Sequence, residues 1–453
     1  MKLNLFKSFL LAVIVILASS CNSTTEPVAL STNPNFKSLA LAQNDTFPGL
    51  ESIIFSIDST DPNSHIITNL DSLPYQTNPA YLIGTFSFKS TQRVTLFKSA
   101  NYPLDSMVVV GKDTFNFAQY DILRNYSADS KNKKDYRIKV NVHKVDAEKY
   151  VWGKASENIN GNSPTSQKAI LFGDSIFYFL NNGSTAYLHK SIDGAAWNPL
   201  IISGLPANTP LSDMIAFNGK LFLTQDGDKI YSASNPRNWT VQVNPDYNFK
   251  SLLFALNNKL WAVLEKKTDQ TCRFASSSDG AVWEVFAEIP SNFPVKDFTA
   301  LSFTSRTNKA KAIVIGGYSE AGELLTTNWN TEDGLSWFDF STNNTSLDTL
   351  RVGASLISYD NKLLILGMGT DTKRYFKESK DEGFTWQVPD TKYNILPANF
   401  IARENASFLV LKLGGAYTDV NANRIFIIGG DSATTRFTDS WTGKLNRKSF
   451  IRQ

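Results

Sequence analysis

Four aspartates recur in a common sequence motif. Their residue type and regular spacing make them candidates for catalysis. Each lies just before a glycine and a few residues before a tryptophan. The sets are Asp193, Gly194 and Trp197; Asp279, Gly280 and Trp283; Asp333, Gly334 and Trp337; and Asp381, Gly383 and Trp386. A glycosidase needs two carboxyl groups about 5 to 10 Å apart. Because these four occur in separate repeats, we do not expect them to form such a pair.

The same spacing has a structural explanation. In a polar turn the aspartate can accept hydrogen bonds from backbone amides of its own turn, and the glycine can supply a positive φ. The tryptophan then packs as the chain re-enters a strand. A weaker copy, Asn235-Pro236 followed by Trp239, supports this interpretation. The sequence therefore predicts structural turns with no catalytic role.

Other reactive residue types are sparse. His65, His143 and His189 are isolated in the sequence, so no metal site and no cofactor is expected. Cys272 has only His189 as a base in its half of the chain, which favours a buried structural thiol over a nucleophile. The formal net charge of +3 is spread over mixed charges, which excludes a nucleic-acid partner.

Short strands joined by tight turns must position the aspartates. Two-residue turn signals such as Asn218-Gly219, Asn257-Asn258 and Asp360-Asn361 each precede an apolar strand. One repeat therefore consists of strand, tight turn, strand, link, strand, aspartate turn and a strand bearing tryptophan. The tryptophans from Trp197 to Trp386 are 42, 44, 54 and 49 residues apart. Four antiparallel strands at this period predict a β-propeller.

The repeats predict a six-bladed propeller over residues 149–453. Its last blade lacks an outer strand, which the strand near Trp152 is expected to supply, so that the two ends of the domain pair and close the ring. The first strands of the blades begin beside charged residues, which we expect to lie around one mouth of the channel and to form a candidate binding site. These residues are Lys168, Asp213, Lys250, Asp297, Arg351 and Arg403. A self-neutralising, solvated rim is the alternative.

Residues 36–148 show alternating apolar stretches separated by Pro, Asn, Asp and Ser. About seven strands at this spacing predict an immunoglobulin-like β-sandwich. The fold class is therefore all-β, with a sandwich followed by a propeller.

The N-terminus predicts export. Residues 1–20 carry Lys2 and Lys7, an apolar run and small residues, as in a signal peptide. Leu17-Ala18-Ser19-Ser20-Cys21 resembles the lipobox of bacterial lipoproteins, which implies lipidation of Cys21 and a membrane anchor. Residues 21–35 would then form the lipidated start and a polar tether. This favours a cell-envelope or outer-membrane lipoprotein, with the membrane face left open.

Two propeller classes resemble the repeat region. Gly316-Gly317 and Gly429-Gly430 resemble kelch-type blades, and the aspartate turns resemble the Asp boxes of sialidases. The sialidase resemblance would imply an arginine cluster and a tyrosine nucleophile. Arg351, Arg374, Arg403 and Arg424 are the candidates for such a cluster, but Glu288-Ile289-Pro290 lacks the arginine of the family's Arg-Ile-Pro segment.

The order of lipobox, sandwich and propeller, with the final Trp441-Thr-Gly-Lys-Leu-Asn446 segment, resembles a family of uncharacterised Bacteroidetes-type lipoproteins. The resemblance supplies no catalytic residues. We therefore expect a non-catalytic binding or scaffold protein of the cell envelope, with a glycan or an envelope protein as partner. A sialidase-like or other glycoside-active enzyme is the alternative, and nothing in the sequence indicates the oligomeric state.

Overall fold

The structure is a computed structural model. It describes residues 28–47, 49–57, 65–69, 71–144, 146, 149–161, 163–225, 227–341, 347–390, 396–397, 399–412 and 423–446. The predicted signal peptide, Cys21 and the first part of the predicted tether lie outside these residues. The chain divides into two compact units, Met1–Ala147 and Glu148–Gln453. No helix in the described residues has the length and apolar character needed to cross a bilayer.

The described residues of the first unit form nine strands and three short 3-10 turns. The strands are β1 (Phe36–Leu41), β2 (Phe55–Ile57), β3 (Ile66–Asn69), β4 (Leu82–Phe88), β5 (Arg93–Lys98), β6 (Ser106–Val109), β7 (Lys112–Phe115), β8 (Tyr120–Tyr126) and β9 (Lys133–Lys139). The 3-10 turns are Leu50–Ser52, Pro79–Tyr81 and Ser99–Asn101. All nine strands join one sandwich-like sheet, in the order β6-β5-β8-β9-β3-β2-β1-β4-β7.

Alternating side chains build the core of the first unit. In β9, Tyr136 and Ile138 are buried while their neighbours face outward, as expected for a strand with one packed face. The Tyr136 hydroxyl accepts a hydrogen bond from the amide of Phe36 at 2.8 Å, which ties β9 to the start of β1. The all-β prediction is confirmed, with nine strands described where about seven were predicted. The difference arises because short strands such as β3 and β7, with four residues each, carry little alternation.

The second unit is a six-bladed β-propeller. Its strands are β10 (Tyr150–Ser156), β11 (Ser166–Phe172), β12 (Ser175–Asn181), β13 (Ala186–Ser191), β14 (Asn198–Leu200), β15 (Ile215–Phe217), β16 (Lys220–Gln225), β17 (Lys229–Asn235), β18 (Asn238–Val243), β19 (Tyr247–Leu256), β20 (Lys259–Lys266), β21 (Cys272–Ser277) and β22 (Glu284–Glu288). They continue with β23 (Thr299–Thr304), β24 (Ala310–Tyr318), β25 (Leu324–Thr331), β26 (Phe338–Asp339), β27 (Ser355–Tyr359), β28 (Lys362–Met368), β29 (Arg374–Ser379), β30 (Ser407–Lys412), β31 (Asn423–Asp431) and β32 (Arg436–Leu445).

Each blade is one antiparallel sheet, and the innermost strands are β11, β15, β19, β23, β27 and β30. Blades 1 to 4 are β11–β14, β15–β18, β19–β22 and β23–β26. Blade 5 is β27–β29, extended by a bridge between Glu378 and Gln387. Blade 6 has the order β10-β32-β31-β30. The strand near Trp152 therefore closes the ring as predicted, with Trp152 opposite Gly443 and Tyr150 opposite Leu445.

Tight turns join the first two strands of the blades. Asn257 and Asn258 both have positive φ, at 51° and 59°, as a two-residue hairpin of the primed type requires. The second strands that follow these turns are almost entirely buried, as in β12, where every residue is buried. Each inner strand thus pairs on one side with a buried second strand, and its other edge faces the central channel.

Candidate functional site

The repeated aspartates are occupied by their own turns. Asp193 Oδ1 accepts hydrogen bonds from the amides of Ala195 at 2.9 Å and Ala196 at 3.0 Å, and from the Ser191 hydroxyl at 3.1 Å. The bond from the Ala195 amide is the main cause of a lowered pKa at Asp193. Asp279, Asp333 and Asp381 likewise accept bonds from backbone amides two to four residues further on. These carboxylates are committed to local structure.

The turn glycines make contacts between blades. A Cβ built on Gly280 of blade 3 would lie 2.1 Å from the ring of Phe222 in blade 2. A Cβ on Gly194 of blade 1 would lie 2.4 Å from Phe426 in blade 6. Gly334 and Gly383 approach Trp261 and Ile313 of the preceding blades in the same way. The motif therefore combines a positive φ with a close approach to the neighbouring blade.

A cavity of about 670 Å³ occupies the central channel. The six inner strands line its wall with aliphatic, serine and threonine residues. Each strand contributes at least one large aliphatic residue, among them Ile170, Ile215, Leu253, Leu301, Leu356 and Leu409. Charged residues that come earlier in the blades line the cavity at one end, which we call the channel mouth: Lys168, Asp213, Lys250, Lys296 and Asp297. The channel is thus charged at one end and has a wall of mixed aliphatic and hydroxyl-bearing residues.

Asp213 is the most perturbed carboxyl group of the channel mouth. Desolvation raises its pKa to about 6, against the opposing effects of a hydrogen bond from Thr224 and the charge of Lys168. Burial also lowers the pKa of Lys168, and the attraction of Asp213 opposes that shift. Both residues are only partly exposed, so each interacts more strongly with a polar group that enters than it would in bulk water.

Lys250 joins the channel mouth to a second cavity. Its Nζ lies 3.0 Å from Glu320 Oε1 and 3.9 Å from Glu265 Oε1. Burial is the largest single effect and lowers the pKa of Lys250, but the bond to Glu320 and the charges of Glu320 and Glu265 together outweigh it, so the pKa is raised overall. Cys272 lies buried beneath this cluster, and its Sγ donates to Glu320 Oε2 at 3.3 Å. Burial raises the pKa of the thiol to about 12, so it stays protonated.

Arg351 and Arg403 do not line the channel cavity. Arg351 lines a small cleft that also contains Asp297, with its Nε 3.7 Å from Glu404 Oε2. Arg403 is only 1% exposed, and its Nη1 donates to Asp439 Oδ1 at 2.6 Å. The structure therefore places four of the six predicted residues, Lys168, Asp213, Lys250 and Asp297, on the channel wall.

Arg403 is buried because blade 6 supplies a complete partner set. Its guanidinium lies 4.5 Å from the Phe400 ring centroid and 3.9 Å from that of Phe437. It also donates to the carbonyl of Gly429 at 3.0 Å. These partners satisfy the charge within the blade, and Arg403 does not line the channel cavity.

Sequence reasoning missed four residues of the site: Lys296 and Thr224 in the channel, and Glu265 and Glu320 beside Lys250. The pair Lys296-Asp297 was a detectable signal, because Asp297 was already predicted there. Glu265 and Glu320 reach the site from the second strand of blade 3 and the loop after β24, and no local pattern marks them.

The channel lacks the residues of a sialidase site in the part of the chain that the structure describes. Its lining contains neither arginine nor tyrosine. Arg374 donates instead to the carbonyl of Pro397 at 2.9 Å, and Arg424 pairs with Leu411 across β31 and β30. Within the same described ranges, no group of three or more His, Cys, Asp or Glu residues is placed to hold a metal ion.

Fold and sequence together define an all-β protein with a sandwich-like unit and a six-bladed propeller. Residues 146–453 match the family model described as the DUF6242 beta propeller domain. Residues 28–140 match the model of the DUF6242 N-terminal domain, a domain of unknown function. The chain belongs to the DUF6242 family.

Solved structures of several propellers are similar at low identity. An alpha-L-arabinanase of Penicillium chrysogenum has 10% identity and a TM-score of 0.41, with 66% of this chain and 97% of that chain covered. A sialidase of Trypanosoma rangeli has 10% identity and a TM-score of 0.38, with 66% and 58% covered. The SapL1 lectin in complex with alpha methyl fucoside has 12% identity and a TM-score of 0.38, with 61% and 90% covered. No curated protein matches the sequence.

Proposed function

We propose that this chain is a non-catalytic binding protein of the cell envelope, anchored through a lipid on Cys21, and that its channel mouth holds the ligand. The ligand would be a glycan or a segment of an envelope protein. The observation that carries the proposal is the open cavity of about 670 Å³ with charged groups at one end. This volume lies within the range of about 300–1,000 Å³ typical of ligand pockets.

Several polar groups at the channel mouth form no direct hydrogen bond or ion pair in the part of the chain that the structure describes. The ammonium groups of Lys168 and Lys296 and the carboxylate of Asp297 form no hydrogen bond or ion pair with a described residue. Asp297 also has a positive φ of 53°, an uncommon conformation for a residue other than glycine. Polar groups held in this way can exchange bonds to water for bonds to a ligand, which supports a binding role.

A glycoside-active enzyme is the second candidate, because one observation favours it. Asp213 and Asp297 are two carboxyl groups in the same channel, and desolvation raises the pKa of Asp213 to about 6. A glycosidase uses a carboxyl group with such a raised pKa as its general acid, and a second carboxylate as its base or nucleophile. The described lining contains neither arginine nor tyrosine, so the structure supports a sialidase less than it supports another glycoside-active enzyme.

A glycan-array screen of the full-length protein in detergent tests the binding proposal. The variant Lys168→Met removes this ammonium from the channel while keeping an unbranched side chain. Lys220→Met is the matched control, because Lys220 is an exposed lysine at the start of β16, beside the hairpin turn. Saturable binding that Lys168→Met weakens at least about tenfold, and Lys220→Met leaves unchanged, supports a channel site.

Binding that both variants retain would contradict the channel as the site. If no glycan binds, crosslinking in the intact envelope, read against Lys168→Met, decides whether a protein partner occupies the mouth. Turnover of a bound glycan that Asp213→Asn abolishes would instead establish the enzyme. Radiolabelled palmitate incorporation that Cys21→Ser removes tests the lipid anchor.

A further inference from the structure

The channel mouth continues into a groove beside blades 3 and 4. This groove is a cavity of about 480 Å³. Lys250, Val295, Lys296 and Asp297 line both cavities. A ligand held in the channel can therefore extend over these residues into the groove without leaving the surface. Because each cavity alone has the volume of an ordinary ligand pocket, a ligand that fills both must be longer than one small unit.

The groove presents a fixed set of donors and acceptors. Asn248 Nδ2 donates to Glu265 Oε2 at 3.1 Å, and Lys250 holds Glu320 at 3.0 Å. Carboxylates have about four acceptor positions and the ammonium has three donors, so these bonds leave capacity for a ligand. Tyr318, half-buried, adds an aromatic side chain to the groove. Hydroxyl groups both donate and accept, and therefore match such a mixed surface.

The backbone of the groove does not offer a strand edge to a peptide. The amide of Val295 donates to the Tyr318 carbonyl at 2.8 Å, and the amide of Tyr318 donates to the Lys296 carbonyl at 2.8 Å. Peptides in extended form are recognised through main-chain ladders and apolar side-chain pockets. The groove instead recognises its ligand through polar side chains, which favours a hydroxyl-rich chain over a peptide.

The charges of the joined surface nearly cancel. Three lysines, Lys168, Lys250 and Lys296, lie beside four carboxylates, Asp213, Asp297, Glu265 and Glu320. A polyanion gains little from a surface with a small excess of carboxylates, and a polycation gains little from one that already holds three ammonium groups. The balance favours an uncharged ligand.

We propose that the channel mouth and the groove together bind an uncharged linear oligosaccharide, with one end in the channel and further units along the groove. This inference rests on the proposed binding function of the channel and names its ligand class. In this proposal, Glu320, Glu265 and Asn248 contact the outer sugar units, and Lys168 and Asp213 contact the unit in the channel.

Chain-length dependence tests the inference. The full-length protein in detergent is titrated calorimetrically with β-1,4-linked oligomers of glucose, mannose, galactose and xylose, one to six units long. For at least one sugar we expect the Kd to tighten about tenfold or more between one and four units. Glu320→Gln should reduce this gain to about threefold or less while leaving the single unit unaffected.

Glu284→Gln is the matched control. Glu284 is an exposed glutamate of blade 3 paired with Lys259 at 2.8 Å, just as Glu320 is paired with Lys250, but it lies on the outer strand. It should leave the length dependence intact, and thermal melting should show that both variants remain folded. Glu320 is 42% exposed, so its replacement by the isosteric amide removes the charge without opening the core.

Four results would overturn the inference. Affinity independent of length, or an equal loss for one and four units in Glu320→Gln, would show that the groove takes no part, while the channel site would stand. Tighter binding of galacturonate oligomers than of the neutral series would contradict an uncharged ligand. If no oligomer binds, the oligosaccharide is excluded, and the array and crosslinking with Lys168→Met decide the channel proposal separately.

Discussion

The aspartate turns and the channel mouth use the same residue types in opposite ways. In the turns, Asp193 and its counterparts accept hydrogen bonds from backbone amides. The bond from the Ala195 amide is the largest cause of the lowered pKa of Asp193. In the channel mouth, desolvation raises the pKa of Asp213, and Asp297 forms no side-chain bond to a described residue. The repeated aspartates hold the fold together, and the residues that occur once make up the candidate site.

The difference follows from where the two regions lie in a blade. A turn between the third and fourth strands recurs in every well-formed repeat, because each repeat needs the same contact with the preceding blade. The channel mouth is used once per propeller, so each blade contributes a different side chain. Repetition in a propeller sequence therefore indicates structure, and departures from repetition are where binding residues should be sought.

The largest effect is expected at a turn glycine. Gly280→Ala places a methyl group 2.1 Å from the Phe222 ring and imposes a side chain on a φ of +80°. We expect a loss of about 2–4 kcal/mol in the free energy of unfolding. Chemical denaturation of the full-length protein measures it, with the propeller transition followed by tryptophan fluorescence.

Gly219→Ala is the control for the backbone conformation alone. Gly219 also has a positive φ, +69°, but nothing lies within 4 Å of the added Cβ. It should cost only about 1 kcal/mol. Equal losses in the two variants would show that the turn glycine supplies backbone freedom and that the contact between blades adds nothing.

The second prediction concerns pH, where the two regions should behave with opposite sign. The pKa of Asp213 is about 6 in the native protein against a reference value of 3.8, so the native state holds its proton more tightly. Its carboxyl therefore lowers stability progressively as the pH rises from about 4 to about 6, and the cost is constant above that. We expect Asp213→Asn to be more stable than the native protein by about 1–2 kcal/mol at pH 7.5 and equal to it near pH 4.

A turn aspartate supplies the comparison. The pKa of Asp193 is lowered from 3.8, so its contribution is fully present above that value and is lost as the pH falls through the native pKa. Asp193→Asn should therefore be less stable at pH 7.5, and the difference should shrink on acidification. Thermal melting across pH 3 to 8 checks both variants. A loss of stability in Asp213→Asn at pH 7.5 would mean that its carboxylate has a stabilising partner that outweighs desolvation.

Much of the fold was predictable because its signals are local. The hairpin at Asn257 and Asn258 and the turn at Asp279 each depend on residues within one short stretch. The closing strand at Trp152 was predictable because blade 6 otherwise lacked an outer strand. These features can be predicted without knowing which blades are neighbours.

The candidate site was harder because its partners are distant. Arg403 was predicted at the channel mouth from its place before an inner strand, but Asp439 lies 36 residues later and fixes it inside the blade. Glu320 meets Lys250 across 70 residues of sequence. A charged residue before an inner strand is therefore a candidate only until its partner is known, and no periodicity in a single sequence identifies that partner.

The smallest expected effect comes from a matched pair of aspartates. Asp279 accepts hydrogen bonds from the amides of Ala281 at 2.8 Å and Val282 at 3.1 Å, whereas Asp297 accepts none from a described residue. Charge-assisted bonds are stronger than neutral ones, so Asp279→Asn should cost about 1 kcal/mol of stability. Asp297→Asn keeps a residue that tolerates positive φ and should change stability by less than about 0.5 kcal/mol. Denaturant titration at pH 7.5 checks the pair. A comparable loss in Asp297→Asn would assign that carboxylate to the framework, and the channel mouth would then lose one of its free acceptors.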